Sequence, residues 1–138
     1  MDARRILDLG TFTGYSSIAM ALASADDATV TCCEIDAEYA RSARDWWLKA
    51  GVSSKMQMHE CGAEEMMQQL LDGGEFGGID FIFCDVSERE RYPAIHELAM
   101  QLLHVGGVVV YYDTVRRRSQ TGITDVTDMS TARCADRS

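Results

Sequence analysis

Hydrophobic positions along the chain switch repeatedly between the strand period and the helix period. Arg5-Ile6-Leu7-Asp8-Leu9 is a short apolar run of strand type. From Gly14 to Ser24, Ile18, Ala21 and Leu22 recur at helical spacing. Thr29-Val30-Thr31-Cys32-Cys33 is rich in β-branched residues and predicts a strand ending at Glu34. Asp36 is placed to cap a helix that runs to about Ala50, and Gly51 to close it. Its expected buried face holds Tyr39, Ala43, Trp46 or Trp47, and Ala50. Met56-Gln57-Met58-His59-Glu60 predicts a third, weaker strand, and the stretch from Ala63 to Leu71 a helix. Asp72-Gly73-Gly74 and Gly77-Gly78 bound a loop before Ile79-Asp80-Phe81-Ile82-Phe83-Cys84, the strongest strand of the chain. A helix follows from about Tyr92 to His104, with Pro93 tolerated in its first turn. Gly106-Gly107 is expected to end it, and Val108-Val109-Val110-Tyr111-Tyr112 to form the fifth strand.

Five strands separated by four helices predict an α/β fold with a doubly wound, mostly parallel sheet. In such sheets ligands bind beyond the carboxyl ends of the strands. Here those ends are Gly10, Glu34 and Asp85. The periodicity supports one domain over residues 1–115 and fails after Val115. Residues 116–138 are a polar tail expected to be flexible.

Composition narrows the class. The 138 residues are 46% hydrophobic and 25% charged, enough for one ordinary core and incompatible with disorder throughout. No apolar run approaches the roughly 20 residues of a membrane helix. The first residues lead straight into a strand, so no secretory leader and a cytoplasmic location are expected. The net charge of −9 argues against a nucleic-acid binder. The charge is uneven: residues 1–115 carry 8 basic and 19 acidic side chains, residues 116–138 carry 5 and 3. Arg116-Arg117-Arg118 is too short a basic run to reverse that reading. Five cysteines without C-x-x-C spacing indicate a reducing compartment, with neither a disulfide framework nor a zinc site. His59, His96 and His104 share no metal-ligand spacing.

The candidate chemistry lies at the strand ends. Gly10-Thr11-Phe12-Thr13-Gly14 is a glycine turn between the first strand and the first helix. A dinucleotide fingerprint would be G-x-G-x-x-G, whose second glycine lets the backbone approach a pyrophosphate. Phe12 stands at that position and disfavours a pyrophosphate ligand, and with it a nicotinamide-linked oxidoreductase. Glu34, at the tip of the second strand, can accept hydrogen bonds from both hydroxyls of a ribose. Gly62-Ala63 after the third strand leaves room for a flat adenine ring. Together these fit an adenosine carrying an amino acid in place of phosphates, namely S-adenosylmethionine.

At this point the chain resembles a known family. Ile6-Leu7-Asp8-Leu9-Gly10-Thr11-Phe12-Thr13-Gly14-Tyr15-Ser16-Ser17-Ile18 is similar to the first motif of the cation-dependent O-methyltransferases, which include the caffeoyl-CoA and catechol enzymes. Cys33-Glu34-Ile35-Asp36 resembles their ribose motif. Phe81-Ile82-Phe83-Cys84-Asp85 with Tyr92-Pro93, and Leu102 to Val110, resemble their metal segments. The match spans roughly residues 4–115 and implies a class I methyltransferase sheet. It implies cofactor contacts from Gly10, Phe12, Gly14, Ser16, Glu34, Gly62, Ala63 and Asp85. It implies a divalent cation, usually Mg²⁺, on Asp85, Asp113 and Thr114. The implied acceptor is a small hydroxylated aromatic whose two neighbouring hydroxyls chelate the metal, and a homodimer is an admissible partner arrangement.

The chain departs from this pattern. Thr114 stands where the family has Asn, and Glu88 where it has its catalytic Lys. One extra residue lies between Asp85 and Tyr92, and the family's leading helices and last two strands have no counterpart, so the expectation is a member shortened at both ends. Two functions follow: metal-assisted O-methyl transfer, or a catalytically weakened fold that binds the cofactor or acts as an interaction module.

Overall fold

The computed structural model describes residues 2–114. The expected flexible tail, with Arg116, Arg117, Arg118 and Cys134, lies outside them. Strands β1 (Arg5–Leu9), β2 (Thr29–Cys33), β3 (Met56–His59), β4 (Ile79–Cys84) and β5 (Leu103–Tyr111) alternate with helices α1 (Tyr15–Ala23), α2 (Ala37–Ala50), α3 (Ala63–Asp72) and α4 (Tyr92–Leu102). The sheet is parallel throughout, in the order β3-β2-β1-β4-β5. The order reverses between β1 and β4, which is where such a sheet opens a crevice for ligands.

The central strand β1 is buried on both faces, which is why it reads as an apolar run. Leu7 and Leu9 join one core with Met66, Met67 and Leu71 of α3 and Ile95, Ala99 and Leu102 of α4. Ile6 joins the opposite core with Val30, Ala21 of α1, and Ala43 and Trp47 of α2. Helices on both faces make the fold doubly wound, as the alternation predicts.

Three details differ from the sequence reading. Helix α2 buries Ala40, Ala43 and Trp47, whereas Tyr39, Trp46 and Ala50 are exposed. Both sets have helical spacing. The choice is made by Trp47, whose indole N–H donates to Ser17 Oγ at 2.9 Å inside the core, since a buried indole requires an acceptor. Leu22 of α1 is likewise exposed. The third difference concerns Gly106 and Gly107. Helix α4 already ends at Leu102 and β5 starts at Leu103, so the glycines lie within the strand. There the register steps from Ile79 opposite Leu103 to Phe81 opposite Val108. Gly106 has φ +94°, and a Cβ on Gly107 would lie 2.9 Å from Leu103 Cδ2. A strand glycine at such a place marks a bulge; the sequence pattern alone reads it as a helix stop.

Candidate active site

The turn after β1 is built around two glycines that no other residue could replace. Gly10 has φ +84°, and a Cβ there would sit 2.5 Å from the Asp85 carbonyl oxygen. The ends of β1 and β4 are therefore packed backbone to backbone. Gly14 has φ +93° and lies beneath α2, where a Cβ would come within about 3 Å of Trp47 Nε1 and Ala43. Between them Phe12 also adopts the left-handed region, φ 52°, a conformation that costs a non-glycine residue roughly 1–2 kcal/mol. It projects the Phe12 ring outward against Tyr39 of α2, with ring centroids 4.3 Å apart.

Glu34 closes the turn from the other side. Its Oε2 accepts the Phe12 backbone N–H at 2.8 Å, and its Oε1 accepts the Asp36 backbone N–H at 2.9 Å. Each carboxylate oxygen has a second lone pair, so the fixed group retains acceptor capacity. Asp36 in turn caps α2 by accepting from the backbone of Glu38 and Tyr39.

These elements frame a cleft of about 580 Å³ beyond the ends of β1 to β4. Of the candidate residues, Gly10, Phe12, Glu34, Gly62, Ala63, Asp85 and Glu88 line it together. Ser16 does not; it lines an adjoining apolar depression of about 470 Å³ that shares Gly10, Phe12 and Asp85 with the cleft and is walled by Tyr15, Met20, Phe83 and Tyr112. Gly14 lines neither, and its position is one of packing. The sequence reading passed over Ile35, Tyr39 and Arg91 on the cleft wall. Arg91 is tied to the first turn of α3, with Nε 2.8 Å from Glu64 Oε1 and Nη2 2.8 Å from Oε2.

It also passed over Asp8, fully buried under the turn. The Ser16 hydroxyl lies 2.9 and 3.0 Å from its two carboxylate oxygens. Burial raises the Asp8 carboxyl to about 6, against the lowering effect of the Ser16 and Thr11 hydroxyls, with the charges of Asp85 and Glu34 adding to the rise. The signal available in the sequence was an acid between two leucines in an apolar strand. Cys33 and Cys84, by contrast, are pushed to about 12 by burial and remain neutral thiols, so neither is a nucleophile at neutral pH.

Asp85 and Asp113 do come together beyond β4 and β5, but around an arginine. Arg89 Nη2 stands 3.5 Å from Asp85 Oδ1 and 3.2 Å from Asp113 Oδ2. Its Nη1 donates to the Val86 carbonyl and, at 2.8 Å, to Tyr92 Oη. Tyr92 Oη donates in turn to the Tyr112 carbonyl at 3.0 Å. Thr114 is exposed. A site for a divalent ion would present open carboxylate oxygens; here a guanidinium faces both. Among the described residues no group of three or more His, Cys, Asp or Glu side chains is arranged to hold a metal. The donor set therefore does not fit the cation that the sequence resemblance implies. Glu88 lies at the rim, its side chain more than half exposed and 4.0 Å from Arg91 Nη1.

No helix of the described residues is long and apolar enough to cross a membrane. Residues 1–131 match the O-methyltransferase family. The chain is 36% identical over 109 residues to "Probable caffeoyl-CoA O-methyltransferase 2" of Dictyostelium discoideum, covering 79% of this chain and 47% of that protein. It is 40% identical over 109 residues to "Catechol O-methyltransferase domain-containing protein 1" of Mus musculus, covering 79% and 41%. Among solved structures, the O-methyltransferase TomG of Streptomyces achromogenes, determined in complex with SAM, superposes with a TM-score of 0.74 at 34% identity over 80% of this chain and 48% of that one. An O-methyltransferase from Bacillus cereus in complex with SAH gives a TM-score of 0.74 at 29% identity, over 80% and 49%. The chain thus spans about half the length of the relatives it matches. Its five-stranded parallel sheet, its glycine turn and its sequence all place it in the O-methyltransferase family.

Proposed function

We propose that this chain binds S-adenosylmethionine in the cleft beyond β1 to β4 and transfers its methyl group to a hydroxyl of a small aromatic acceptor. The observation that carries the reading is the Glu34 carboxylate, fixed by two backbone N–H groups and still able to accept hydrogen bonds at the cleft wall. Its spare lone pairs suit the two hydroxyls of a ribose. Gly62 and Ala63 offer an adenine little side-chain bulk. Gly10, Phe12 and Ser16 are the matching positions for the amino-acid portion, while Gly14 supports the turn from behind. Asp8, Glu34 and Asp85 give this end of the sheet an acidic character that favours a sulfonium and an ammonium group.

The bound cofactor would supply an electrophilic methyl on a positively charged sulfur. The residues of the chain position and desolvate. Phe12 and Tyr39 form a wall against water on one side. The adjoining apolar depression next to Asp85 is the place for an aromatic ring. Transfer would exchange the S–CH₃ bond for an O–CH₃ bond, and the hydroxyl proton would go to solvent or to Glu88 at the cleft rim. A carboxylate is a far weaker base than a phenolate, so the acceptor that has lost its proton to solvent is the main reactant. Because Arg89 faces Asp85 and Asp113, no step is assigned to a divalent cation. The aromatic class of the acceptor is supported by the relatives named for caffeoyl-CoA and catechol.

The experiment is titration calorimetry with S-adenosylhomocysteine on the full chain and on Glu34→Ala, followed by transfer of labelled methyl to a catechol. Binding that depends on Glu34, together with labelled product, supports the reading. Binding without product would favour a cofactor-binding module, for which Glu88 at the position where the resemblance expects a catalytic Lys is the specific argument. Absence of binding sinks both.

A further inference from the structure

We infer that Arg89 is the built-in cation of this site, standing between Asp85 and Asp113 in the space a divalent metal would need, so that the site works without an added metal ion. The guanidinium is held from several directions. Nη2 faces Asp85 Oδ1 and Asp113 Oδ2 at 3.5 and 3.2 Å, and Nη1 binds the Val86 carbonyl and Tyr92 Oη. The guanidinium carbon lies 5.4 Å from the Tyr92 ring centroid. Three-quarters of the side chain is removed from solvent.

The anchoring groups come from three elements. Asp85 and Val86 follow β4, Tyr92 opens α4, and Asp113 follows β5 in the left-handed conformation, φ 52°, that turns it back over the strand ends. Arg89 itself starts the one-turn 3₁₀ helix Arg89–Arg91, whose geometry sets its side chain between them.

This arrangement excludes a metal on chemical grounds. Mg²⁺ requires oxygen ligands at about 2.0–2.1 Å in near-octahedral order. The same carboxylates would have to bind a dication while a guanidinium stays within about 4 Å, a repulsion of roughly 2 kcal/mol even in bulk water and more in a cleft. Arginine meets the need differently. Its charge is permanent, and it has five N–H donors. Four are accounted for by the contacts above, and Nε–H is left for an acceptor oxyanion that reaches past Asp85 into the cleft that Arg89 lines. A guanidinium stabilises such an anion by charge and hydrogen bonding without chelating two hydroxyls, so a single phenolic hydroxyl suffices. The catalytic consequence rests on the methyl-transfer reading; the exclusion of metal does not.

The test is Mn²⁺ binding to the full chain, read by calorimetry and by the electron paramagnetic resonance signal of free Mn²⁺. The parent chain is expected to show no site tighter than the millimolar range. Arg89→Ala is expected to gain Mn²⁺ affinity by at least about tenfold, as removal of a nearby positive charge requires, and Arg89→Ala with Asp113→Asn to lose it again. A parent chain that binds Mn²⁺ at micromolar concentration and loses it on Asp113→Asn overturns the inference, and this outcome stands even if Arg89→Ala fails to fold. S-adenosylhomocysteine is titrated into the same samples. Its failure to bind would overturn the methyl-transfer reading and leave the Mn²⁺ result to judge Arg89. Where methyl transfer is measurable, it is expected to be unchanged by EDTA; loss in EDTA that added Mg²⁺ restores overturns the inference.

Discussion

Glu34 accepts the backbone N–H of Phe12 at 2.8 Å, joining the tip of β2 to the turn after β1. One carboxylate thereby fixes the turn and faces the cleft. Glu34→Ala is expected to weaken S-adenosylhomocysteine binding by ~1.5–3 kcal/mol, the scale of hydrogen bonds to a charged group. Glu34→Gln keeps one acceptor oxygen and should fall between parent and Ala. Calorimetric affinities in the order parent, Gln, Ala would agree; equal affinities would remove Glu34 from the site.

Gly10→Ala tests the backbone contact between β1 and β4. At φ +84° an alanine is strained, and its Cβ would meet the Asp85 carbonyl oxygen at 2.5 Å. Neither atom is the end of a flexible side chain, so the strands must part. We expect a loss of at least about 2 kcal/mol, from left-handed strain of ~1–2 kcal/mol plus the displacement. Chemical denaturation measures it. A loss below half that value would mean that the turn relaxes freely and that Gly10 is not structurally required.

The fold was legible because parallel strands buried on both faces leave continuous apolar runs, and because Asp36 and Gly51 mark the ends of α2 chemically. The bulge in β5 was not, since Gly106-Gly107 between a helix and a strand has the same local pattern as a helix stop. One part of the cleft was legible for a related reason: Gly10, Glu34 and Gly62 each follow a strand, so topology alone gathers them. The other part depends on the loop between β4 and α4, where one residue decides which side chain faces Asp85 and Asp113. Glu88 occupies the expected sequence position, but Arg89 is the side chain that faces Asp85 and Asp113. The available signal was a basic residue four positions after Asp85 in a short loop.

Asp80 tests the opposite end of β1. Its Oδ2 accepts the backbone N–H groups of Arg4 and Arg5 at 2.7 and 2.8 Å, and its Oδ1 lies 3.0 Å from His104 Nε2. Burial works to raise this carboxyl, but the two backbone donors and the neighbouring positive charges hold it below the usual range. A carboxyl lowered on folding contributes stability above its unfolded pKa and loses it as pH falls through the folded value. Asp80→Asn is therefore expected to destabilise the chain by about 1–2 kcal/mol at pH 7 and to lose less stability than the parent below about pH 4. Thermal melts from pH 7 to pH 3 that run parallel for the two proteins would contradict this.

Asp8 carries the reverse linkage. Burial raises its carboxyl to about 6 from an ordinary 3.8. Between those values the folded chain binds more protons than the unfolded chain, so stability falls as pH rises through this window. Above it the buried charge costs a constant amount, on the order of 3 kcal/mol at about 1.4 kcal/mol per pKa unit. Asp8→Asn keeps the size of the side chain and one acceptor oxygen for the Ser16 hydroxyl while removing the charge. The variant is expected to be more stable than the parent at pH 7.5 by about 1–3 kcal/mol, and the gain should shrink toward pH 4. The same substitution removes negative charge from beneath the turn, so binding of the ammonium-bearing S-adenosylhomocysteine should weaken even as the fold strengthens. Denaturation curves at pH 4.5 and 7.5, paired with calorimetry at pH 7.5, separate the two effects. A variant no more stable at pH 7.5 than at pH 4.5, relative to the parent, would show that folding does not raise the Asp8 carboxyl. The Ser16 and Thr11 hydroxyls would then offset the whole cost of burying its charge.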